Sequence, residues 1–479
     1  MRVLSLTLSS SFSIAVATWS LLVSGANAVP TEPLPVRIAC IGDSITRGVG
    51  TDFPEWESYP AQLQRMLGGS RYVVGNFGVS DSTLLIAGNQ PYAQQKALSE
   101  ALAFRPDIVV IQLGTEDTRP ENWVHRKNFT ADYISLIRQF AALESRPRIW
   151  LCLPPAVRPG HVGINEAALC EQHPLIQQVA REEGLPVIDV HAQFVDQPAL
   201  LPDGVHPNGI GALVLAKVVH AAVIGRPFES EMPVTLQTRW NDYTRLDFVV
   251  GGRPAILVSP KSTRPGRPWI WRTEFFGAFP AVDLALLARG WHVAYLNVQN
   301  LYGASVALAA MDKFQSHLQE CHGLTSAPVL EGFSRGGLFA FNWAVRNPSK
   351  VAALYVDAPV CDFKSWPAGK GKGKGSVADW AKCLKAYGMT EEQALAYRGN
   401  PVDNLAPLAA AHIPIVAVAG DADDIVPVDE NIGVVVERYR KLGGNIELIL
   451  KAGIGHHPHS LEDPTPVVDF LEKHAAVHP

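Results

Sequence analysis

The sequence predicts an α/β protein with two three-layer α/β/α domains, in which helices cover both faces of a mostly parallel sheet. Short apolar runs of the kind found in buried strands alternate with amphipathic stretches along the chain. The series stops at Gly225-Arg226-Pro227 and then starts again, and 479 residues suffice for two or three cores. The halves share no repeat, so we predict a fusion of two domains, residues 34–226 and 240–479.

Each predicted element follows from such a run or stretch. In the first half the strands are residues 36–41, 72–77, 108–113, 148–153 and 187–189, and the helices are 59–67, 94–103, 131–143, 165–183 and 209–224. In the second half the strands are 247–250, 255–258, 292–297, 328–332, 352–356, 415–419 and 446–450, and the helices are 283–289, 305–319, 338–346 and 431–442. The glycine-lysine segment 370–374 predicts a solvated, mobile loop.

Composition excludes several classes of protein. With 47% hydrophobic and 18% charged residues, the chain is not mostly disordered, collagen-like or coiled-coil. A net charge of −5 gives no basic footprint, which argues against a nucleic-acid partner. Six cysteines are too few for a disulfide scaffold but permit one to three bridges, and the closest pairs in sequence are Cys152 with Cys170 and Cys361 with Cys383. None has the C-x-x-C spacing of a metal or redox site, so we expect buried or paired cysteines. We predict no metal and no cofactor.

The first 28 residues predict a secretory signal peptide. Arg2 provides the positive start, residues 14–23 an apolar stretch, and Ala26-Asn27-Ala28 an A-x-A cleavage site. No later segment approaches about 18 consecutive apolar residues, so the mature chain is expected to have no membrane span. We therefore expect a secreted or periplasmic protein.

A serine and an Asp–His pair stand near opposite ends of the first domain. Ser44 follows the first strand, and open α/β sheets bind their ligands at the carboxyl ends of strands. Asp203 precedes His206 by three residues, so in a tight turn the carboxylate can reach the imidazole and hold its tautomer. The imidazole can then accept the proton of the serine hydroxyl. These three residues predict a nucleophilic hydrolase site.

The first domain resembles the SGNH (GDSL-type) hydrolases over about residues 36–224. The blocks that carry the resemblance are Gly42-Asp43-Ser44, Asn76-Phe77-Gly78-Val79-Ser80 and Asp203-x-x-His206. The resemblance implies a flavodoxin-type sheet, with Ser44 as nucleophile, His206 as general base and Asp203 as the group that orients the base. It also implies that the backbone N–H groups of Ser44 and Gly78 donate into the oxyanion hole.

The remaining oxyanion position departs from that family's pattern. Relatives usually carry Gly-x-Asn-Asp, whose Asn amide is a donor, whereas this chain has Gly114-Thr115-Glu116-Asp117. An ionised Glu accepts hydrogen bonds and cannot donate them, and losing one oxyanion donor typically costs about 10²–10³ in rate. Glu116 is therefore protonated, or turns away, or slows the site. Asp81, where relatives often carry Gly, adds a second carboxylate nearby.

The second domain carries a G-x-S-x-G sequence between a strand and a helix. Gly332-Phe333-Ser334-Arg335-Gly336 has the pattern of a nucleophile elbow, in which small residues allow a sharp turn that exposes the hydroxyl. Downstream, the segment 420–427 follows one strand and Gly453-Ile454-Gly455-His456 follows the next. Serine, acid and histidine in this order are typical of α/β-hydrolases, and the domain resembles that family from about residue 240 onward.

The resemblance implies Asp423 as the acid and His456 as the base, with Asp424 and His457 as the alternatives. His457 and His459 are otherwise expected to be surface histidines, and Asp357 a structural carboxylate.

The oxyanion donors of the second site follow from the same resemblance. One is expected to be the backbone N–H of Arg335, the residue after the nucleophile. The other is expected near Arg272 or Thr273, in the turn after residues 269–271. Trp271, Phe275 and Phe276 either line a pocket or pack in the core.

The two sites together indicate a secreted serine hydrolase that forms an acyl-enzyme at each nucleophile. We expect a bifunctional carbohydrate esterase that acts on esterified polysaccharides or oligosaccharides. One site would remove O-acetyl groups and the other a second acyl group such as acetyl, feruloyl or glucuronoyl. The alternatives are a prolyl-oligopeptidase-like peptidase in the second domain, or a carbohydrate-binding pseudoenzyme in the first.

Overall fold

A five-stranded parallel sheet occupies the first half of the computed structural model, which describes residues 34–69, 71–158, 163–230 and 235–475. Its strand order is β2-β1-β3-β4-β5, the flavodoxin-type order that the sequence predicts. The strands are β1 (Val36–Gly42), β2 (Tyr72–Gly78), β3 (Ile108–Gln112), β4 (Arg148–Leu153) and β5 (Val187–Asp189). The helices are α1 (Ser44–Arg47), α2 (Pro54–Glu57), α3 (Tyr59–Leu67), α4 (Lys96–Ala103), α5 (Pro120–Trp123), α6 (Phe129–Ala141), α7 (Glu166–Glu183) and α8 (Gly209–Ile224).

Burial on both faces of this sheet explains its apolar strands. Every residue of β3 is buried, and apolar clusters under the helices cover each face of the sheet. Helix α3 begins after Ser58, whose hydroxyl accepts the Ala61 N–H, and it ends at Gly68. Strands β1, β2 and β3 are neighbours, so their carboxyl ends meet at one edge of the sheet. That edge holds the first candidate site.

A nine-stranded sheet occupies the second half of the described residues, in the order β14-β13-β12-β11-β9-β10-β8-β7-β6. Strands β9 to β14 run parallel to one another, whereas the pairs β10–β8, β8–β7 and β7–β6 are antiparallel. The strands are β6 (Thr235–Trp240), β7 (Tyr243–Val250), β8 (Arg253–Ser259), β9 (Trp269–Arg272), β10 (His292–Leu296), β11 (Val329–Phe333), β12 (Ala353–Asp357), β13 (Ile415–Gly420) and β14 (Ile446–Lys451). The helices are α9 (Ala281–Ala288), α10 (Ser305–His322), α11 (Gly336–Arg346), α12 (Val377–Tyr387), α13 (Glu391–Ala396), α14 (Ala406–Ala410), α15 (Ile432–Lys441) and α16 (Thr465–Ala475).

The second sheet contains two strands that the sequence pattern did not predict. Strand β6 is an edge strand whose side chains are polar except at Leu236 and Trp240. It begins at Thr235, before residue 240, where we placed the start of the domain. Strand β9 is fully buried at the centre of the sheet, and Trp271 packs in the core against Trp269, Phe314 and Trp343. Trp271 is therefore a core residue and lines no pocket.

The lysine-glycine segment 370–374 is a loop whose lysines are exposed, as predicted, and each of these lysines is paired with a carboxylate. Lys370 contacts Glu391, Lys372 contacts Asp429, and Lys374 contacts Asp424. The side chains remain largely exposed, so each pair contributes little to stability. The contacts nevertheless place this segment against the loop that follows β13.

The structure pairs none of the six cysteines, although all of them lie in its described residues. Cys40, Cys152, Cys361 and Cys383 are buried free thiols, and Cys170 and Cys321 are exposed. The pairings that sequence proximity suggested are therefore absent. None of the helices in the described ranges is both long and apolar enough to cross a bilayer. The predicted signal peptide lies outside the described residues.

Candidate active sites

The structure brings Ser44, His206 and Asp203 together at the carboxyl edge of the first sheet. Ser44 Oγ lies 2.9 Å from His206 Nε2, and His206 Nδ1 lies 2.7 Å from Asp203 Oδ2. The other Asp203 oxygen accepts the N–H groups of Val205 and His206, which folds the turn that the three-residue spacing predicts. In the tautomer with hydrogen on Nδ1, His206 can accept the Ser44 proton. This arrangement can activate Ser44 as a nucleophile.

The acid of this triad is held in its ionised form. Partial burial alone would raise the pKa of Asp203. The hydrogen bonds from the backbone and ring of His206 and from the Val205 N–H lower this pKa by more than burial raises it, so the net shift is downward. An ionised Asp203 stabilises the imidazolium that forms when His206 takes the serine proton.

Asp43 caps the helix that carries Ser44. Its Oδ1 accepts the N–H of Ile45, while its other oxygen is buried. Complete burial, with smaller contributions from the Glu116 and Asp117 carboxylates, raises the pKa of Asp43 from 3.8 to about 7 despite the Ile45 hydrogen bond. The carboxyl group next to the nucleophile therefore titrates near neutral pH.

The Asp43 shift predicts how stability depends on pH. Because the folded state binds this proton more tightly than the unfolded chain does, the contribution of Asp43 to the free energy of unfolding falls as pH rises from 3.8 to about 7. We expect Asp43→Asn, which keeps the Oδ1 acceptor, to flatten this dependence in thermal denaturation between about pH 4 and pH 8. Asp196→Asn, at an exposed position, is the control and should leave the dependence unchanged. An Asp43→Asn variant whose stability has the same pH dependence as that of the wild type would contradict the prediction.

The family resemblance implies two backbone N–H groups as oxyanion donors at the first site. Ser44 is the first residue of α1, and its N–H has no acceptor among the hydrogen bonds of the described residues. A Cβ atom on Gly78 would lie 2.3 Å from the Arg47 nitrogen, so only glycine allows β2 to end against α1. The Gly78 N–H, however, donates to Asn76 Oδ1 at 3.0 Å. It would therefore have to be shared with, or released from, Asn76 to bind an oxyanion.

Glu116 is neither exposed nor isolated. Its carboxylate is almost fully buried and accepts a hydrogen bond from Arg119 Nε at 2.6 Å. The guanidinium therefore compensates the negative charge where relatives carry a neutral Asn. Sequence reasoning missed Arg119, although its spacing of three residues from Glu116 in a helical turn was a usable signal. The electrostatic field of Asp81 also acts on Arg119.

We expect Arg119→Gln to destabilise the protein and to slow the first site. The substitution leaves the Glu116 carboxylate without its guanidinium, and breaking a buried pair in this way costs about 3–5 kcal/mol. An uncompensated charge near the oxyanion should lower turnover by about 10²-fold. Urea unfolding and acetyl-ester hydrolysis in a Ser334→Ala background measure the two effects. Arg138→Gln, which breaks an exposed pair with Glu183, is the matched control and should change both by little.

The Glu116→Asn variant tests whether the Glu116 carboxylate slows the first site or is neutralised by Arg119. Because Arg119 already neutralises the carboxylate, we expect this substitution to give no gain in first-site turnover. A several-fold gain, with Arg119→Gln harmless, would show that the carboxylate acts as an uncompensated charge.

The second triad has the same geometry. Ser334 Oγ lies 2.9 Å from His456 Nε2, and His456 Nδ1 lies 2.7 Å from Asp423 Oδ2. Ser334 follows β11 with a φ of 50°, the strained conformation of a nucleophile elbow. A Cβ atom on Gly332 would lie 2.9 Å from the Gly336 oxygen, so the close turn requires glycine there.

Local contacts distinguish the rival acids. Asp423 also accepts the N–H groups of Ile425 and Val426, and its pKa is lowered because the hydrogen bond to His456 and these amides outweigh its burial. Asp424 instead points to the exposed side chain of Lys374. The geometry therefore favours Asp423.

The candidate histidines also differ in their burial and in their hydrogen-bond partners. His457 is exposed, as expected, whereas His459 is buried and lies 2.8 Å from Asp357, so the expectation of a surface histidine was wrong for His459. Asp357 also accepts the Ser460 N–H, which makes it a structural carboxylate. His456, by contrast, lies against both Ser334 and Asp423. The ring nitrogens of His456, His457 and His459 approach one another within 4.8 Å, but two of these rings already have carboxylate partners.

The oxyanion donors of the second site differ in part from the prediction. The Thr273 N–H donates to the Glu331 oxygen, and Arg272 belongs to β9, so neither amide is available. Among the hydrogen bonds of the described residues, the N–H groups of Arg335 and Glu274 have no acceptor. Arg335 and Glu274 therefore supply the candidate donors.

The Arg335 side chain adds a charged group beside the nucleophile that sequence reasoning did not identify. Its guanidinium lies 3.1 Å from Glu274 and 3.6 Å from Asp379, and it stacks over the ring of Phe275. Burial raises the pKa of Glu274 to about 7, even though Arg335 lowers it. The wall of the second site is therefore polar and is fixed by ion pairs.

Comparisons with known proteins match the first half of the chain most directly. The model of the GDSL-like lipase/acylhydrolase family matches residues 40–213. An acetylxylan esterase from Xylanibacter ruminicola is 41% identical over 208 residues, which cover 39% of this chain and 43% of that protein. The chain therefore spans less than half the length of this curated relative.

Two solved structures are among those similar to parts of this chain. Est24, a carbohydrate acetylesterase from Sinorhizobium meliloti, is 19% identical with a TM-score of 0.34, over 40% of this chain and 99% of that chain. Dipeptidyl peptidase 4 from Porphyromonas gingivalis is 16% identical with a TM-score of 0.39, over 50% of this chain and 36% of that chain. The family match confirms the predicted resemblance of the first half, which carries a GDSL-like domain.

Proposed function

We propose that this protein is a carboxylic ester hydrolase with two active sites, which removes O-acetyl groups from a carbohydrate at Ser44 and cleaves a second acyl ester at Ser334. The observation that carries the proposal is the presence of two hydrogen-bonded Ser–His–Asp triads, one at the carboxyl edge of each sheet. The GDSL-like match and the acetylxylan esterase relative support acetyl-ester chemistry at the first site.

The proposed reaction is the same at each site. The histidine takes the serine proton, and the serine oxygen attacks the ester carbonyl while backbone N–H groups stabilise the oxyanion. The protonated histidine then gives its proton to the departing alcohol, which leaves an acyl-enzyme. Water, deprotonated by the same histidine, attacks the acyl carbon, and the released serine oxygen regains a proton.

Active-site labelling tests whether both serines are nucleophiles. A fluorophosphonate reacts with activated serines, and intact-mass measurement counts the adducts on each chain. We expect two adducts on the wild type, one on Ser44→Ala, one on Ser334→Ala and none on the double variant. A double variant that still carries an adduct would overturn the assignment of the sites.

A panel of esters assigns a substrate to each serine. Acetylated xylooligosaccharides, feruloyl esters, glucuronoyl methyl esters and aminoacyl-proline amides are offered to the two single-serine variants. We expect acetate release to follow Ser44 and hydrolysis of an acyl ester to follow Ser334. Cleavage of the aminoacyl-proline amide alone at Ser334 would make the second domain a peptidase. Acetate release that survives Ser44→Ala but not Ser334→Ala would make the first domain a binding module.

We also propose that the protein is exported, because Arg2, the apolar stretch and Ala26-Asn27-Ala28 have the order of a cleavable signal. Expression in the source cell, followed by N-terminal sequencing of the mature chain, should find a new terminus near Val29. An intact Met1 terminus on the cellular protein would contradict export by this route.

A further inference from the structure

A cluster of metal-ligand side chains lies in the first domain, outside the triad. Glu166 and Cys170 are four residues apart on α7, and His191 follows β5. Glu166 Oε1 lies 2.6 Å from His191 Nε2 and 3.5 Å from Cys170 Sγ. His173, one turn further along the same face of α7, brings its ring centroid within 4.5 Å of that of His191.

The fourth residue of this cluster has an unused nitrogen. His173 Nε2 is buried and has no hydrogen-bond partner among the described residues. A buried imidazole nitrogen without a partner is costly unless something binds it.

The donor set and its spacing suit a first-row transition metal. One thiol, two imidazoles and one carboxylate form a mixed set that zinc accepts in tetrahedral sites. Bonds of about 2.0–2.3 Å place tetrahedral ligand atoms roughly 3.3–3.8 Å apart. The sulfur–oxygen distance already falls in this range, and the Glu166–His191 contact would have to open by about 1 Å. The candidate ligand atoms of Glu166, Cys170 and His191 all lie within 4.8 Å of one another.

We propose that Glu166, Cys170 and His191 form a structural Zn²⁺ site. His173 lies outside this group of mutually close ligand atoms and would have to move toward the metal to become the fourth ligand. Binding replaces the thiol proton of Cys170, which passes to solvent, and His191 binds through Nε2 as the neutral ring with its hydrogen on Nδ1. The His456–His457–His459 group is a weaker candidate, because His456 is held by its triad and His459 by Asp357.

A metal at this site would also stabilise the turn that holds the catalytic acid of the first triad. The second oxygen of Glu166 accepts the Val157 N–H at 2.7 Å, and the next residue, Arg158, donates its N–H to the Gly204 oxygen at 2.7 Å. Gly204 lies beside Asp203. Metal at Glu166 would therefore join α7, the turn after β5 and the turn of the catalytic acid.

Cobalt titration of the metal-free, full-length protein tests the proposal, because Co²⁺ occupies zinc sites and a cobalt–thiolate bond absorbs in the near ultraviolet. We expect one equivalent of Co²⁺ to bind with this absorption, Zn²⁺ to displace it, and either metal to raise the thermal midpoint. Cys170→Ser should lose the absorption, and His191→Asn should weaken binding about tenfold or more. Cys321→Ser, at the other exposed cysteine, and His457→Asn, in the second histidine cluster, are the controls and should retain it.

The competing outcomes separate cleanly. A wild type without the thiolate absorption, or a Cys170→Ser variant that retains it, would overturn the site. Loss in His457→Asn but not in His191→Asn would move the metal to the second domain and overturn it as well. Circular dichroism and thermal denaturation without metal verify that each variant is folded, so that a lost signal reports a lost ligand.

Discussion

Ser44→Ala in a Ser334→Ala background is expected to lower the rate of acetate release from acetylated xylooligosaccharides by about 10⁴-fold or more. The second substitution removes the other nucleophile, so that the assay reports the first site alone. Without the hydroxyl, the 2.9 Å contact to His206 disappears and no covalent intermediate can form. Binding and oxyanion contacts would account for the residual rate.

A second variant shows whether the triad acts as a unit. His206→Asn should cost about as much as Ser44→Ala, and combining the two should cost no more than either alone, because each removes the same step. Ser80→Ala, which removes a nearby hydroxyl outside the triad, is the matched control and should keep most of the activity. Acetate release that stays within about tenfold of the parent after Ser44→Ala would refute Ser44 as the nucleophile.

Asp423→Asn in a Ser44→Ala background is expected to slow fluorophosphonate labelling of Ser334 by about 10⁴-fold. The amide can donate to His456 Nδ1, which favours the tautomer with hydrogen on Nε2. His456 then cannot accept the Ser334 proton across the 2.9 Å contact. The rate of labelling can be measured without knowing the natural ester, because the fluorophosphonate reacts with Ser334 directly.

Asp424→Asn provides a control that differs by one position in the chain. The Asp424 carboxylate contacts an exposed lysine and not the imidazole, so we expect labelling within about twofold of the parent. If Asp424→Asn were the damaging change and Asp423→Asn the harmless one, the assignment of the acid would be reversed. His456→Ala and His457→Ala form an equivalent pair for the base.

The motifs predicted both triads because their chemistry depends on short spacings. Asp203 and His206 lie in one turn. The two serines follow buried strands, which runs of apolar residues predict. The bounds of α3 were predicted without error, because Ser58 and Gly68 mark its two ends. Parallel strands that share an edge then bring distant residues together.

The contacts that the motifs did not predict are those that depend on packing between segments. Glu116 is paired with Arg119. The direction in which a guanidinium points depends on the shape of the surrounding pocket, which the sequence does not show. His459 contacts the Asp357 carboxylate, which is 102 residues away in the sequence. Strand β6 was missed because it is a polar edge strand that lacks an apolar run. Its place in the sheet is set by its pairing with β7.

The free thiols described above have a practical consequence for how the protein can be made. Four of the six are enclosed in the cores and none is paired, so no disulfide holds the described fold together. A leaderless form should therefore fold in the reducing cytosol of an expression host and resist thiol reductants once folded. The enzyme could thus be studied with every cysteine reduced, the condition in which Cys170 is available to a metal.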